Sequence, residues 1–357
     1  MLHPGGLQKL RNQLLWGNGS RGTERHRRVP GNGPQRGDMV QLSFRARSSV
    51  VPEMRYITGL LLIAYMLMAG LSTACAQDIE PRAYSNAPVG VNFLIAGYAY
   101  TRGGLSFDPS LPVKNPKIET SSAVLAYARV LDLWGKSAKF QVILPYTWLS
   151  GSADYNDQTV RRKVDGLSDA RFRMSVNLYG APALTLKEFA GYQQDLIIGA
   201  SLSASVPLGQ YDATRLVNIG TNRWSFTPEV GASKALGPWT LEVAAAATLY
   251  TDNDDFFGGN TRSQDPLYLM QGHVIYSFPR GIWASIDPTY FIGGQSTIDG
   301  VRSNDLQENW RVGGTLAFPV NARNSIKLFA SSGVAARTGN NYDQIGIAWQ
   351  YRWGGGL

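Results

Sequence analysis

The sequence predicts an all-β fold, a transmembrane antiparallel up-and-down β-barrel of about twelve strands. Three observations carry this expectation. From Val91 to Trp353 the chain repeats segments of about nine to thirteen residues in which apolar and polar side chains alternate, the period of a strand with two unlike faces. The connections alternate between short and long, as in a barrel with tight turns on one rim and extended loops on the other. A stretch with the pattern of a secretory signal peptide precedes the first segment.

Composition narrows the function classes. The chain has 357 residues and a formal charge of +8, which invites a nucleic-acid reading until the charge is located. Residues 1–53 hold nine Lys/Arg against three Asp/Glu, and Arg55 adds one more basic residue. From Gln77 onward 24 basic residues face 23 acidic ones, so the body is near neutral and no nucleic-acid partner is expected.

The leader comes first. Residues 1–53 lack periodicity and are rich in Gly, Arg, Pro and Ser, so they read as a disordered N-terminal extension or a start-site artefact with translation beginning at Met54. Residues 54–76 supply a basic n-region at Arg55, an apolar run from Ile57 to Leu71, and Ala74 and Ala76 before the expected cleavage at Gln77. Cys75, the single cysteine, is lost with that peptide; lipid attachment there is a rival fate. Residues 77–90, kinked by Pro81 and Pro88, form an N-terminal segment expected to fold into the lumen as a plug, with a free periplasmic tail as the alternative.

Strands are expected near 91–101, 119–130, 138–149, 170–179, 196–206, 223–234, 239–250, 267–278, 282–292, 310–318, 325–334 and 343–353, with residues 354–357 as a tail. Each is long enough to cross a bilayer at a tilt. Links near Leu131–Ser137, Leu236–Pro238, Pro279–Gly281 and Pro319–Asn324 are short, whereas 102–118, 151–169, 207–222, 251–266 and 293–309 are long and polar. The exception on the short-turn rim is 181–195, where Ala183–Phe189 is expected to form a helical turn.

Parity assigns the faces. Phe172, Met174, Val176 and Leu178 alternate with Arg171, Arg173, Ser175 and Asn177. An Arg on the lipid face near mid-membrane costs about 2–4 kcal/mol, so the arginines are expected inside. The same reasoning sends Phe140, Leu144, Trp148, Leu241 and Val243 outward, with Lys139 and Gln141 inward. In the last strand Ile345, Ile347, Trp349, Tyr351 and Trp353 face lipid. The expected lumen lining is Arg129, Arg171, Arg173, Asn177, Glu229, Glu242, His273, Arg311, Gln350 and Arg352, and the lumen is expected to be polar.

No cofactor or metal is expected. His273 is the one histidine after residue 76, which excludes His/Cys zinc clusters. The acidic stretch Asp252-Asn253-Asp254-Asp255 has Phe257 where a calcium loop needs glycine. A lipid hydrolase would have to be built on His273, yet Ser277 lies four residues along the strand, roughly 13 Å away. That enzyme, and a secreted soluble β-sandwich binding protein, remain as alternatives to a channel.

Several blocks point to a known family: Arg82-Ala83-Tyr84-Ser85-Asn86-Ala87-Pro88-Val89-Gly90, Gly180-Ala181-Pro182-Ala183-Leu184, Pro207-Leu208-Gly209-Gln210-Tyr211-Asp212, Asn218 through Phe226, and Pro228-Glu229-Val230-Gly231. The chain resembles the outer-membrane transporters labelled as the meta-pathway of phenol degradation. That resemblance implies a bacterial outer-membrane channel, porin-like, admitting aromatic or other hydrophobic small molecules. Its partners would be outer-membrane lipid, a small-molecule permeant and the barrel insertion machinery, which reads an aromatic residue near the end of the last strand, here Trp353.

Overall fold

The computed structural model describes residues 80–104, 113–155, 158–338 and 341–357; the leader, the signal peptide and Cys75 lie outside them. The strands are β1 (Val91–Gly104), β2 (Val113–Leu133), β3 (Lys136–Tyr155), β4 (Gln158–Leu167), β5 (Ala170–Tyr179), β6 (Leu196–Val206), β7 (Ser225–Leu236), β8 (Trp239–Tyr250) and β9 (Asn253–Phe256). They continue with β10 (Asn260–Gln264), β11 (Leu267–Ser277), β12 (Trp283–Gly293), β13 (Ser296–Ile298), β14 (Val301–Arg302), β15 (Gln307–Pro319), β16 (Asn324–Ala336) and β17 (Asn341–Gly354). Twelve of them, all but β4, β9, β10, β13 and β14, pair antiparallel with their chain neighbours in the ring. The ring closes where β1 meets β17, in register from Val91 opposite Gly354 to Gly104 opposite Asn341. Closure leaves no unpaired sheet edge, the condition for a sheet to sit in lipid.

The short connections share the rim that carries Val91 and Gly354. The tightest is the two-residue turn after Leu133, where Trp134 and Gly135 both take positive φ (54° and 75°) and the Asp132 carboxylate accepts the Gly135 N–H at 2.7 Å. Positive φ at both centres suits the right-handed twist of the flanking strands. On the same rim the expected helical turn is α1 (Leu186–Phe189), shorter than 183–189 and set by a capping box between Thr185 and Glu188. The Thr185 backbone N–H and hydroxyl both donate to the Glu188 carboxylate and hold its pKa below the usual range.

The opposite rim differs from expectation. The 151–169 connection is mostly strand, because β4 folds back along β3 from Tyr155–Gln158 to Tyr146–Leu167. The 251–266 and 293–309 connections each hold a hairpin, β9–β10 and β13–β14, and the two are zipped together with Arg262 opposite Ile298. Polar composition concealed these strands, but their backbone donors and acceptors are satisfied by a ladder as well as by water.

Burial confirms the faces. Ile345, Ile347 and Trp349 are exposed on the outer surface, as are Leu144, Leu202 and Leu241, while intervening residues point inward. Aromatic pairs band both ends of this apolar exterior: Trp239–Tyr276 and Tyr351–Trp353 near the short-turn rim, Tyr146–Trp148 and Tyr290–Trp310 towards the other. Such girdles sit where membrane gives way to water.

Candidate functional site

The lumen holds the candidate site, and its periplasmic end is crossed by residues 80–90. Its side-chain contacts to the wall are made by residues on inward parities, and Asn86 and Val89 bond the carbonyls of Pro182 and Leu184 in the β5–β6 connection. Lys327 on β16 binds the Glu80 carboxylate. The Arg82 guanidinium donates to Ser277 Oγ at 2.6 Å and lies over the Trp283 ring at 5.0 Å, while the Arg82 N–H donates to Glu242 at 2.8 Å. Lys139 donates to the carbonyls of Ala83 and Ser85 at 3.0 and 2.7 Å. Asn177 donates to the Tyr84 carbonyl at 3.0 Å.

Tyr84 is the centre of this arrangement. Its hydroxyl donates to Glu229 Oε1 at 2.5 Å, and the same oxygen accepts from Arg173 at 2.8 Å. All three groups are largely buried, so the carboxylate is neutralised by a cation and hydrogen-bonded where an unpaired charge would be expensive. The ring rests on Gly199 and Gly231, which face each other across β6 and β7. A Cβ at Gly199 would lie 2.2 Å from Tyr84 Cδ1, and one at Gly231 would lie 2.4 Å from Tyr84 Cε2. Only glycine leaves a slot deep enough for the ring.

Above this segment Arg171 and Arg173 line a cavity of about 90 Å³ with Ser203, Ser205, Thr227 and Leu269. The wall on either side of the β1–β17 seam is different in kind. Ile95, Val124, Ala126 and Phe329 sit on inward parities there and are only partly covered. An apolar strip therefore runs along the seam beside inward polar residues such as Gln344, Gln350 and Lys327. In β1 and the middle of β2 both faces carry mainly apolar or small residues, so alternation says little about which of them line the lumen.

The remaining expected lining residues divide. His273 is buried, with Nδ1 2.7 Å from Asp287 Oδ1; Ser285 and Thr315 donate to the other Asp287 oxygen at 3.0 and 3.1 Å. Among the described residues no hydroxyl meets His273 Nε2, and Ser277 bonds Arg82, so these two do not form a Ser–His pair. Arg311 is buried in the wall, donating to the Tyr342 carbonyl and Ser331 hydroxyl with its guanidinium 4.2 Å from the Tyr342 ring centre. Gln350 takes the inward parity beside Ile95. Arg352 has that parity too, but lies at the rim and donates to the Ala322 carbonyl at 2.8 Å.

Arg129 contradicts its assignment. It is exposed on the outer parity with Leu125, while Ala128 and Val130 are buried. Its place near the short-turn end of β2 lets a long cationic side chain reach the headgroup region, where the cost of charge is small. Sequence reasoning missed Glu80, Arg82 and Tyr84 as site residues. The facing glycines on two inward parities were the available signal.

Among the described residues no cluster of His, Cys, Asp and Glu is arranged to hold a metal. A closed twelve-stranded barrel with an apolar, aromatic-banded exterior is a protein of the bacterial outer membrane.

One solved structure agrees on the fold, and two others are more distantly similar. An outer membrane channel from Pseudomonas putida F1 superposes with a TM-score of 0.67 at 21% identity, over 77% of this chain and 100% of that one. The transport unit of the autotransporter AIDA-I from Escherichia coli gives 0.46 at 10% identity, over 83% and 97% of the two chains. The beta domain of the Bordetella autotransporter BrkA gives 0.47 at 12%, over 74% and 100%. No curated protein sequence matches this chain. One family model does, over residues 102–351, described as "Putative MetA-pathway of phenol degradation".

Proposed function

This chain belongs to that family, and from this premise we propose that it is a passive outer-membrane channel for small molecules, of which aromatic or otherwise hydrophobic compounds are the preferred class. The observation supporting this reading is the apolar strip along the seam of an otherwise polar lumen. A porin for sugars and ions wets its whole interior, whereas the wall of Ile95, Val124, Ala126 and Phe329 offers a solute an apolar track beside a hydrogen-bonding one. The 80–90 segment restricts the periplasmic end of that track. Lipid contacts the exterior, and the insertion machinery reads the closing strand through Trp353.

Uptake of labelled small aromatics into proteoliposomes, set against sugars and amino acids, tests the proposal. Aromatics are expected to enter faster than into protein-free vesicles, with sugars excluded. Deletion of residues 78–88 is expected to raise single-channel conductance. Sugar uptake as fast as that of aromatics, or aromatic uptake no faster than without protein, refutes it.

A further inference from the structure

We infer that the cavity above the N-terminal segment is a binding site for a small organic carboxylate, held by Arg171 and packed through its apolar body against Leu267 and Leu269. This rests on the channel reading and names the chemistry of what the channel selects.

The site is built by five adjacent strands. Arg171 and Arg173 project from β5; across the register Ser205 stands opposite Arg171 and Ser203 opposite Arg173. Ser225 and Thr227 follow on β7, and Ala246 with Thr248 on β8. Leu267 and Leu269 close the row on β11. All border one cavity of about 90 Å³, space for several waters. Glu229, paired with Arg173, also borders it, so the wall runs from guanidinium and that ion pair through hydroxyl to hydrocarbon.

The two arginines differ in how their hydrogen-bond donors are used. Arg173 is matched by Glu229 at 2.8 Å. Arg171 faces the lumen, and among the described residues its guanidinium makes no hydrogen bond or ion pair. The nearby carboxylate, Asp169, acts on Arg171 as a charge, but its hydrogen bonds go elsewhere: one oxygen accepts the Gly209 N–H at 3.0 Å, the other the Thr221 N–H and hydroxyl at 2.8 and 2.6 Å. A planar guanidinium with free donors recognises a carboxylate through two parallel hydrogen bonds, which a neutral solute cannot reproduce. The leucines at the far end of the same wall favour a ligand with an apolar body over an inorganic ion.

Benzoate and its neutral counterpart benzamide separate these terms. Isothermal titration of the intact purified barrel in detergent is expected to show benzoate binding and benzamide binding at least tenfold more weakly. Arg171→Gln is expected to weaken benzoate by about tenfold or more and leave benzamide unchanged, with Arg171→Lys in between. Retained heat-modifiable mobility on a gel shows that each variant is folded. Equal binding of benzoate and benzamide, or unaltered benzoate affinity in Arg171→Gln, overturns the inference, as does inorganic phosphate binding as tightly as benzoate. Titration needs no transport, so a barrel that binds benzoate yet passes no solute refutes the channel reading alone.

Discussion

Filling the glycine slot should unseat the N-terminal segment. In the double variant Gly199→Ala and Gly231→Ala, the new Cβ atoms would stand 2.2 and 2.4 Å from carbons of the Tyr84 ring. Ordinary carbon–carbon contact begins near 3.5 Å, so each overlap exceeds about 1 Å. The ring has little freedom to retreat, because Glu229 holds its hydroxyl and Asn177 its carbonyl. Overpacking of this kind costs about 1–3 kcal/mol, while leaving the slot forfeits a hydrogen bond to a charged group of about 1.5–3 kcal/mol. The two are comparable, so with two clashes release becomes competitive with strain. A shift of about 2 kcal/mol changes the seated-to-released ratio roughly 30-fold. Two assays read it: single-channel conductance should rise, and trypsin should cut after Arg82 in folded barrels where the parent resists. Gly97→Ala is the control, since an added Cβ there meets nothing closer than 3.5 Å. A folded double variant with parental conductance and an uncut Arg82 refutes the reasoning.

Three other outcomes follow from the same geometry. Lys139→Met, which removes the bonds to the Ala83 and Ser85 carbonyls, should also expose Arg82 to trypsin, by an amount smaller than the double glycine variant. His273→Ala should lower the urea midpoint by the equivalent of roughly 1–3 kcal/mol, because buried Asp287 loses its ring partner, and should leave no lipid-hydrolysis rate to lose. Leu202→Arg, on the outer face of β6, should destabilise the folded barrel by about 2–4 kcal/mol in bilayer unfolding titrations, whereas Arg129→Ala should change neither stability nor conductance appreciably.

The barrel was legible because its physics is local. An Arg beside Phe172 or a Glu between Leu241 and Val243 fixes a strand's orientation without reference to any other strand. Three strands, β5, β6 and β8, have the bounds that alternation gives. The rule weakens at strand ends, where a charged side chain can reach water from either face, and there it misplaced Arg129. It also says little where both faces are mainly apolar or small, as in β1. The site was less legible for another reason. The Tyr84 slot requires Gly199, Gly231, Glu229, Arg173 and Asn177 to converge from three strands on a residue outside the sheet. Periodicity ranks these as inward and polar or small, but carries no information on what they face. Hairpins β9–β10 and β13–β14 were hidden because exposed strands need no apolar face.

The 80–90 segment has a mechanical consequence. It is fastened to Lys139, Asn177, Glu229, Glu242, Ser277, Trp283 and Lys327, which belong to seven different staves of the ring. A cylinder one sheet thick resists stretching along its hydrogen bonds but ovalises readily under lateral load. A chord tied to opposite sides removes that soft mode, as a spoke keeps a rim round. The segment therefore sets the cross-section at the inner end as well as occupying it, and its release would let the lower barrel flex in outline while the ladder between its strands stayed intact.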